Sequence, residues 1–197
     1  MSAEYTQKYA ENLTKRLLSL AKEKGFMGEH LLEAEELDEL WKNVAAEYMA
    51  DAVPEVPKYP IVAIAWSCFF GLAAGSLWDL DWEKYSKSPS LYEEIKKARG
   101  FDSMDDYVTE DIMMKGGNYV GKFDDIMREK LNSFIYEAAS LAYTMIRKEN
   151  IEPQSQHAFF VFAKTTEILY KLGVSIALHI LGYKYHKVNI SSGQDLN

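Results

Sequence analysis

Apolar residues recur along most of this chain at steps of three and four, the spacing that places side chains on one face of an α-helix. The first two stripes are Tyr5, Tyr9, Leu13, Leu17 and Leu20, followed by Leu37, Leu40, Trp41, Val44, Tyr48 and Met49. Runs of alternating β-branched residues bounded by turns, which would predict strands, do not occur. The pattern therefore predicts an all-α protein.

The stretch from Tyr59 to Trp78 contains no charged residue and is long enough to cross a bilayer. It contains Gly71 and Gly75 in the G-x-x-x-G spacing found where transmembrane helices pack together. On a helical wheel, however, its large side chains occupy one face and its small ones the other, a division that a lipid-facing helix does not need. Its flanks also lack the one-sided concentration of Lys and Arg that orients membrane spans. We therefore predict a soluble protein with a buried central helix over about 61–78, whose small face lies against another backbone.

Prolines at positions 54, 57 and 60 interrupt the helical pattern between residues 53 and 60. Because proline lacks a backbone N–H and clashes with the preceding turn, the second helix is predicted to end in this segment. We interpret the segment as a rigid spacer between packed helices rather than as a boundary between domains.

Farther on, Ser90 and Glu93 have the spacing of a capping box and Gly100 suits a helix C-terminus, which predicts a short helix. Another short helix is predicted from about Asp102 to the next glycine pair.

Two long apolar stripes near the C-terminus predict helices over 122–150 and 153–185. The short connection at Pro153 makes these helices antiparallel neighbours. The whole pattern predicts a single all-α domain over 1–186, a bundle of five to seven helices in which the long C-terminal pair packs against the central helix. Residues 187–197 are polar and are predicted to form a flexible tail.

Composition narrows the class of protein. The chain has 197 residues, of which 48% are hydrophobic, enough for a core of one domain. Its 22 basic residues are outnumbered by 30 acidic ones and form no basic run, which argues against nucleic acid and against an anionic membrane surface as partners. A single cysteine and an N-terminus without a signal-peptide pattern predict a cytoplasmic protein.

Histidines suggest a metal site at first sight, because His157, His179 and His186 lie in the predicted last helix. On the helical wheel they share a face with Lys164 and Lys171, and spacings of 22 and 7 residues are too long for two of them to chelate one ion. The Glu-x-x-His motif of di-iron bundles and the His-Glu-x-x-His motif of zinc proteases are both missing. We predict solvated histidines, no metal and no cofactor.

No catalytic motif stands out elsewhere. Cys68 lies between Trp66 and Phe69 in the most apolar segment, which predicts a buried and inert thiol. The glycine-rich segment 115–122 lacks the spacing of a phosphate-binding loop and is interpreted as a flexible connection between helices. These features favour a protein that is not an enzyme.

Glu137 is the strongest candidate for a polar binding group. It lies in the apolar part of a long predicted helix, with Ser133, Ser140 and Thr144 on the same side. A carboxylate in such a place can bind a polar ligand or have a raised pKa. The simpler alternative, which we favour, is that Glu137 lies at the edge of the stripe and reaches water or a lysine.

Aromatic residues make up 13% of the chain and suggest two functions. The first hypothesis is protein–protein contact, including self-association, since exposed tyrosines are common at interfaces. The alternative is a small-molecule binding protein or enzyme with an aromatic pocket between helices. The residues predicted to line such a pocket are Trp66, Phe70, Tyr136, Glu137 and Tyr143. A cavity among them would favour the alternative.

Overall fold

The computed structural model describes residues 3–86, 88–149, 151–152 and 154–184, and it is 80% helical. Its α-helices are α1 Ala3–Glu23, α2 Glu35–Glu55, α3 Pro60–Leu80, α4 Trp82–Tyr85, α5 Leu91–Arg99, α6 Met104–Asp106, α7 Asp125–Lys148 and α8 Gln156–Leu181. The described residues contain no strand, so the all-α prediction is confirmed. The helices outnumber the predicted five to seven because α4 and α6 are single short turns. Pro153, His186 and the predicted tail at 187–197 lie outside the described residues, so the predicted domain limits stay a prediction.

The two long C-terminal helices run antiparallel, as predicted. Lys122, just before α7, donates a hydrogen bond to the carbonyl oxygen of Leu181 in the last turn of α8 (2.7 Å). At the opposite end of the pair, Tyr5 of α1 contacts both helices. Its hydroxyl donates to the Glu149 carboxylate and its ring meets that of His157 edge to face, with 5.1 Å between centroids. Helix α1 therefore packs along both α7 and α8.

The centre of the bundle is the pair α3 and α8, which run parallel although about 100 residues separate them. Gly71 lies against Val174, whereas Gly75, one turn later, lies against Ala177. Gly173 of α8 in turn faces the α3 backbone at Cys68. The small face of α3 thus meets a neighbouring backbone, as the spacing of its glycines predicts. Most of α3 is inaccessible to solvent.

The large side chains of α3 are covered by other parts of the chain. Trp66 packs edge to face on Phe101, and Phe70 meets Tyr92 of α5 in the same way. The segment between α3 and α7 therefore folds back over α3 and covers these two side chains.

Helix α3 is long and apolar enough to span a membrane by length and composition, with a mean hydropathy of 1.8 over its best window. Within the fold, 83% of that window is buried against the rest of the protein. Such burial is consistent with the core helix of a soluble protein.

Residues 101–114 differ from the prediction of an ordinary short helix. They form a 3₁₀ turn at Phe101–Ser103, the short α6, and then a π-helix over Tyr107–Met114. Ion pairs connect the π-helix to the neighbouring helices. A guanidinium nitrogen of Arg99 and one of Arg128 lie 2.8 and 3.1 Å from carboxylate oxygens of Glu110. A wheel of 3.6 residues per turn does not predict this winding.

Several helix ends also differ from the prediction. Helix α2, in contrast, ends as predicted inside the proline segment, at Glu55, with Pro54 in its last turn. Helices α7 and α8 begin later than predicted, where Asp124 and Ser155 accept hydrogen bonds from backbone N–H groups and cap the first turns. Gly182, with φ of +99°, ends α8. The capping box predicted at Ser90 is wrong, since its hydroxyl donates to the Glu94 side chain instead.

Candidate functional site

The predicted pocket residues of α3 are part of the packed core. Phe70 stacks on Tyr170 of α8 and meets Tyr92 edge to face, each at 5.5 Å between centroids. Trp66 is buried against Phe101. Both aromatic side chains are therefore covered by neighbouring rings.

The three predicted pocket residues of α7 contact other parts of the protein. Glu137 is 47% exposed and its Oε2 lies 2.8 Å from Nζ of Lys24 in α1, the lysine pairing favoured above. The hydroxyl of Tyr136 donates to Asp105 (2.9 Å), while Tyr143 lies half-buried at the surface. The structure thus does not place Glu137 among the core aromatic rings.

A cluster of aromatic side chains joins α2, α3, α5 and α8. Its members are Trp41, Tyr48, Phe70, Tyr92 and Tyr170, with neighbouring ring centroids 5.0–5.7 Å apart. Burial raises the pKa of all three tyrosines. Tyr48 donates to the carbonyl of Ala63 (2.5 Å) and Tyr92 to Asp51 (2.9 Å). All three hydroxyls stay protonated at neutral pH, so none acts as a base; those of Tyr48 and Tyr92 are hydrogen-bond donors, and the ring of Tyr170 packs in the cluster.

The other titratable candidates have structural surroundings. His179 is exposed, as predicted, whereas His157 is half-buried beside Tyr5, so the prediction of a solvated side chain is wrong for His157. Cys68 is fully buried, and burial raises the pKa of its thiol, as expected for an inert cysteine. Among the described residues, no group of three or more His, Cys, Asp or Glu side chains is placed to hold a metal ion.

A surface groove between α2 and α8 is the feature that the sequence analysis did not predict. It has a volume of about 580 Å³, and every side chain that lines it is apolar. We call it the α2–α8 groove. Its lining residues are Ala45, Ala46, Met49, Ala50, Val53, Pro54, Phe159 and Ala163. A second depression, along α1, differs in being lined mainly by polar and charged residues, among them Glu11, Lys15 and Lys22.

Phe159, one of the residues that line the α2–α8 groove, is exposed and has an exposed aromatic neighbour, Phe160. Phe159 and its neighbour Phe160 are each 46% exposed, with their rings edge to face at 6.0 Å between centroids. The next residues of α8, Val161 and Phe162, are buried. A sequence signal for this edge exists in the doublet Phe159–Phe160, which precedes the core stripe of α8 and faces away from it.

The side of α2 that borders the groove is acidic. Helix α2 contains seven Asp and Glu residues and one basic residue, Lys42. Asp38 pairs with Lys171 of α8 (2.6 Å) and Asp51 with Lys96 of α5 (2.9 Å). The other five carboxylates of α2 have no ion-pair partner within the described part of the chain.

On the α8 side of the groove, the positive charges of the lysines are balanced by carboxylates in ion pairs. Lys164 and Lys171 share Glu167, at 2.5 and 3.0 Å, and Lys171 also binds Asp38. The net charge beside the groove therefore comes from the acidic residues of α2.

Comparison with family models, curated proteins and solved structures finds no match to this chain. Its function is therefore inferred from its own surface.

Proposed function

We propose that this protein is a cytoplasmic, non-enzymatic binding protein that acts through contact with another protein at the α2–α8 groove. The observation that carries the proposal is a surface groove lined by eight apolar residues, among them the half-exposed Phe159, whose ring contacts the half-exposed Phe160. Contiguous exposed apolar surface is characteristic of interaction sites. Aromatic side chains at such sites are typical anchors for a partner.

The contents of the core favour this function over a small-molecule pocket. Aromatic side chains of the protein cover Trp66 and Phe70, and Glu137 forms an ion pair with Lys24 at the surface. A pocket built from the residues predicted for it would require these contacts to be given up. The lone buried Cys68 supports a reducing compartment, because it offers no partner for a disulfide within the chain.

Site-specific crosslinking in cells tests the proposal. A photoreactive amino acid at exposed Ala50, inside the groove, is expected to crosslink to a protein partner. The same amino acid at Ala98, an exposed alanine of α5, serves as the matched control. Equal crosslinking from both positions, or none from position 50, would contradict contact at the groove. Light scattering on the purified protein tests self-association, and a strict monomer at high concentration would remove that part of the hypothesis.

A further inference from the structure

We propose that the occupant of the α2–α8 groove is an amphipathic helix of a partner protein, with an apolar stripe flanked by Lys and Arg. This inference rests on the function proposed above and names the chemistry of the partner at the same groove. It follows from the length of the groove, the size of the side chains that line it, and the charge beside it.

The length of the groove matches a helix. On α2 the lining runs from Ala45 to Pro54, which at 1.5 Å per residue is about 14 Å. A helix bound by anchors at i, i+4 and i+7 needs about 10.5 Å for those anchors. The groove therefore accommodates three successive anchor side chains of one helix.

The shape of the lining also suits a helix. Ala45, Ala46 and Ala50 are small and leave room for a second backbone to approach α2. Phe159, from α8, projects beside them as an exposed aromatic wall. Helix-in-groove recognition uses this combination of a shallow apolar floor and larger side chains at the edge.

The negative charge of α2 determines which side chains can flank the apolar stripe of a bound helix. On a helical wheel of α2, four carboxylates lie on the half that contains the groove lining, against the single Lys42. Three of them, Glu35, Glu36 and Glu39, have no ion-pair partner among the described residues, and the fourth is Asp38, paired with Lys171; Glu47 lies just outside that half, beside Ala50. Glu47 precedes Ala50 by one turn, and Glu39 precedes Ala46 by two turns. Lys and Arg beside the apolar stripe of a partner would meet these carboxylates, whereas Asp and Glu there would be repelled.

The same charge disfavours a second copy of this chain as the occupant. In a two-fold interface the groove of one copy faces the groove of the other, so the two acidic α2 helices would lie side by side. The protein as a whole carries a net charge of −8, which adds to this repulsion. A basic helix from another protein meets neither obstacle.

A displayed peptide library tests the proposal on the full-length protein. Each 18-residue peptide has Leu at helical anchor spacing and Lys, Glu, Gln or Ala at random on the flanks. Selection on the wild-type protein is expected to enrich Lys over Glu. Ala50→Trp, which fills the groove, is expected to weaken the selected peptides about tenfold or more, and the control Ala98→Trp to leave them unchanged. The double variant Glu39→Lys, Glu47→Lys is expected to reverse the preference toward Glu.

The possible results separate the two proposals. Peptides that bind wild type but not Ala50→Trp, with no Lys bias or with a Glu bias, would overturn the basic-helix inference and leave protein contact at the groove standing. No enrichment over Ala50→Trp, on a protein that stays monomeric, would overturn both. A dimer in light scattering that Ala50→Trp dissociates would identify a second copy as the occupant and overturn the basic partner. Circular dichroism establishes that each variant is folded.

Discussion

Gly71 of α3 lies so close to Tyr170 of α8 that a Cβ atom at position 71 would overlap the carbonyl oxygen of Tyr170. The same hypothetical atom would lie 2.9 Å from the backbone nitrogen of Val174. The obstacle is backbone in both cases, and backbone inside a helix cannot rotate away as a side chain can. The contact between α3 and α8 therefore depends on the absence of a side chain at this position.

Gly71→Ala is expected to destabilise the protein by about 1–3 kcal/mol or more, because α3 and α8 must move apart to admit the methyl group. Gly173→Ala should have a similar effect, since its Cβ would overlap the carbonyl oxygen of Cys68. Gly117→Ala is the control, as no atom lies within 4 Å of the position its Cβ would take. Urea unfolding measures all three. A Gly71→Ala variant as stable as Gly117→Ala would show that the helices are farther apart than described.

Gly75→Leu is expected to be strongly destabilising as well. A Cβ at position 75 would lie 2.9 Å from that of Ala177 and 3.0 Å from the carbonyl oxygen of Val174, and a leucine side chain extends much farther. Overpacking of this kind costs about 1–3 kcal/mol, sometimes more. His179→Ala, at an exposed position of the same helix pair, should stay within about 0.5 kcal/mol of wild type. Thermal unfolding of the two variants gives the comparison, and similar losses in both would contradict the assignment of His179 to the surface.

How far the sequence predicts this fold depends on whether a feature is local. The stripe from Leu37 to Met49 predicts the buried face of α2 because helical periodicity alone decides which residues point the same way. The spacing of Gly71 and Gly75 predicts a close backbone contact for the same reason. That the contact is with Tyr170, Val174 and Ala177 of α8, about 100 residues away, is a tertiary fact that no local pattern contains.

The candidate site was less predictable than the fold. The α2–α8 groove exists because two distant helices leave a space between them, so Ala46 and Phe159 become neighbours only in the folded chain. Trp66 and Phe70 suggested a pocket because aromatic content does not distinguish a packed cluster from a ligand site. The π-helix over Tyr107–Met114 was missed because ion pairs and packing, rather than periodicity, accompany its unusual winding.

Glu110 should make stability depend on acid pH. Hydrogen bonding from Arg99 lowers the pKa of the Glu110 carboxyl from its ordinary value of 4.5. A group with a lowered pKa in the folded state stabilises the fold above its unfolded pKa, and this contribution is lost as pH falls through the folded pKa. Glu110→Gln is therefore expected to be less stable than wild type at neutral pH, with the difference shrinking well below pH 4.5. Urea unfolding of wild type and Glu110→Gln, at neutral pH and well below pH 4.5, measures this difference in the free energy of unfolding.

The matched control for Glu110 is Glu47→Gln, which removes a carboxylate without an ion-pair partner in the described residues. It should change stability by less than about 0.5 kcal/mol at either pH. A pH-independent loss in Glu110→Gln would mean that the side chain acts through packing rather than through its charge.

Exposed and buried phenylalanines of α8 should respond differently to truncation. Phe162→Ala removes a side chain that is only 7% exposed and is expected to cost about 3–5 kcal/mol. Phe159→Ala removes a half-exposed ring from the groove edge, so its cost should be much smaller. Urea unfolding tests the contrast. Equal losses would mean that Phe159 is part of the core and is not available to a partner.

Buried tyrosines should make the protein unfold cooperatively in alkali. Burial raises the pKa of Tyr48, Tyr92 and Tyr170 in the aromatic cluster, and that of Tyr119 in the turn before α7, above their ordinary value of 10.0. Because the folded protein holds these protons more tightly than the unfolded chain, the stability they contribute is full below pH 10 and declines as pH rises above it. Each such tyrosine lowers the free energy of unfolding by about 1.4 kcal/mol per pH unit in that range.

Four groups of this kind together would exhaust a typical stability of about 5–15 kcal/mol within a few pH units. Tyrosinate absorbance and far-ultraviolet circular dichroism, followed together during titration, are expected to show part of the 13 tyrosines ionising only as helix is lost. Tyr48→Phe removes one of the buried groups and should make the decline in stability above pH 10 shallower by about 1.4 kcal/mol per pH unit. Ionisation of all tyrosines while helix content is retained would show that the aromatic cluster is open to solvent, and the packed core described for α2, α3, α5 and α8 would then be wrong.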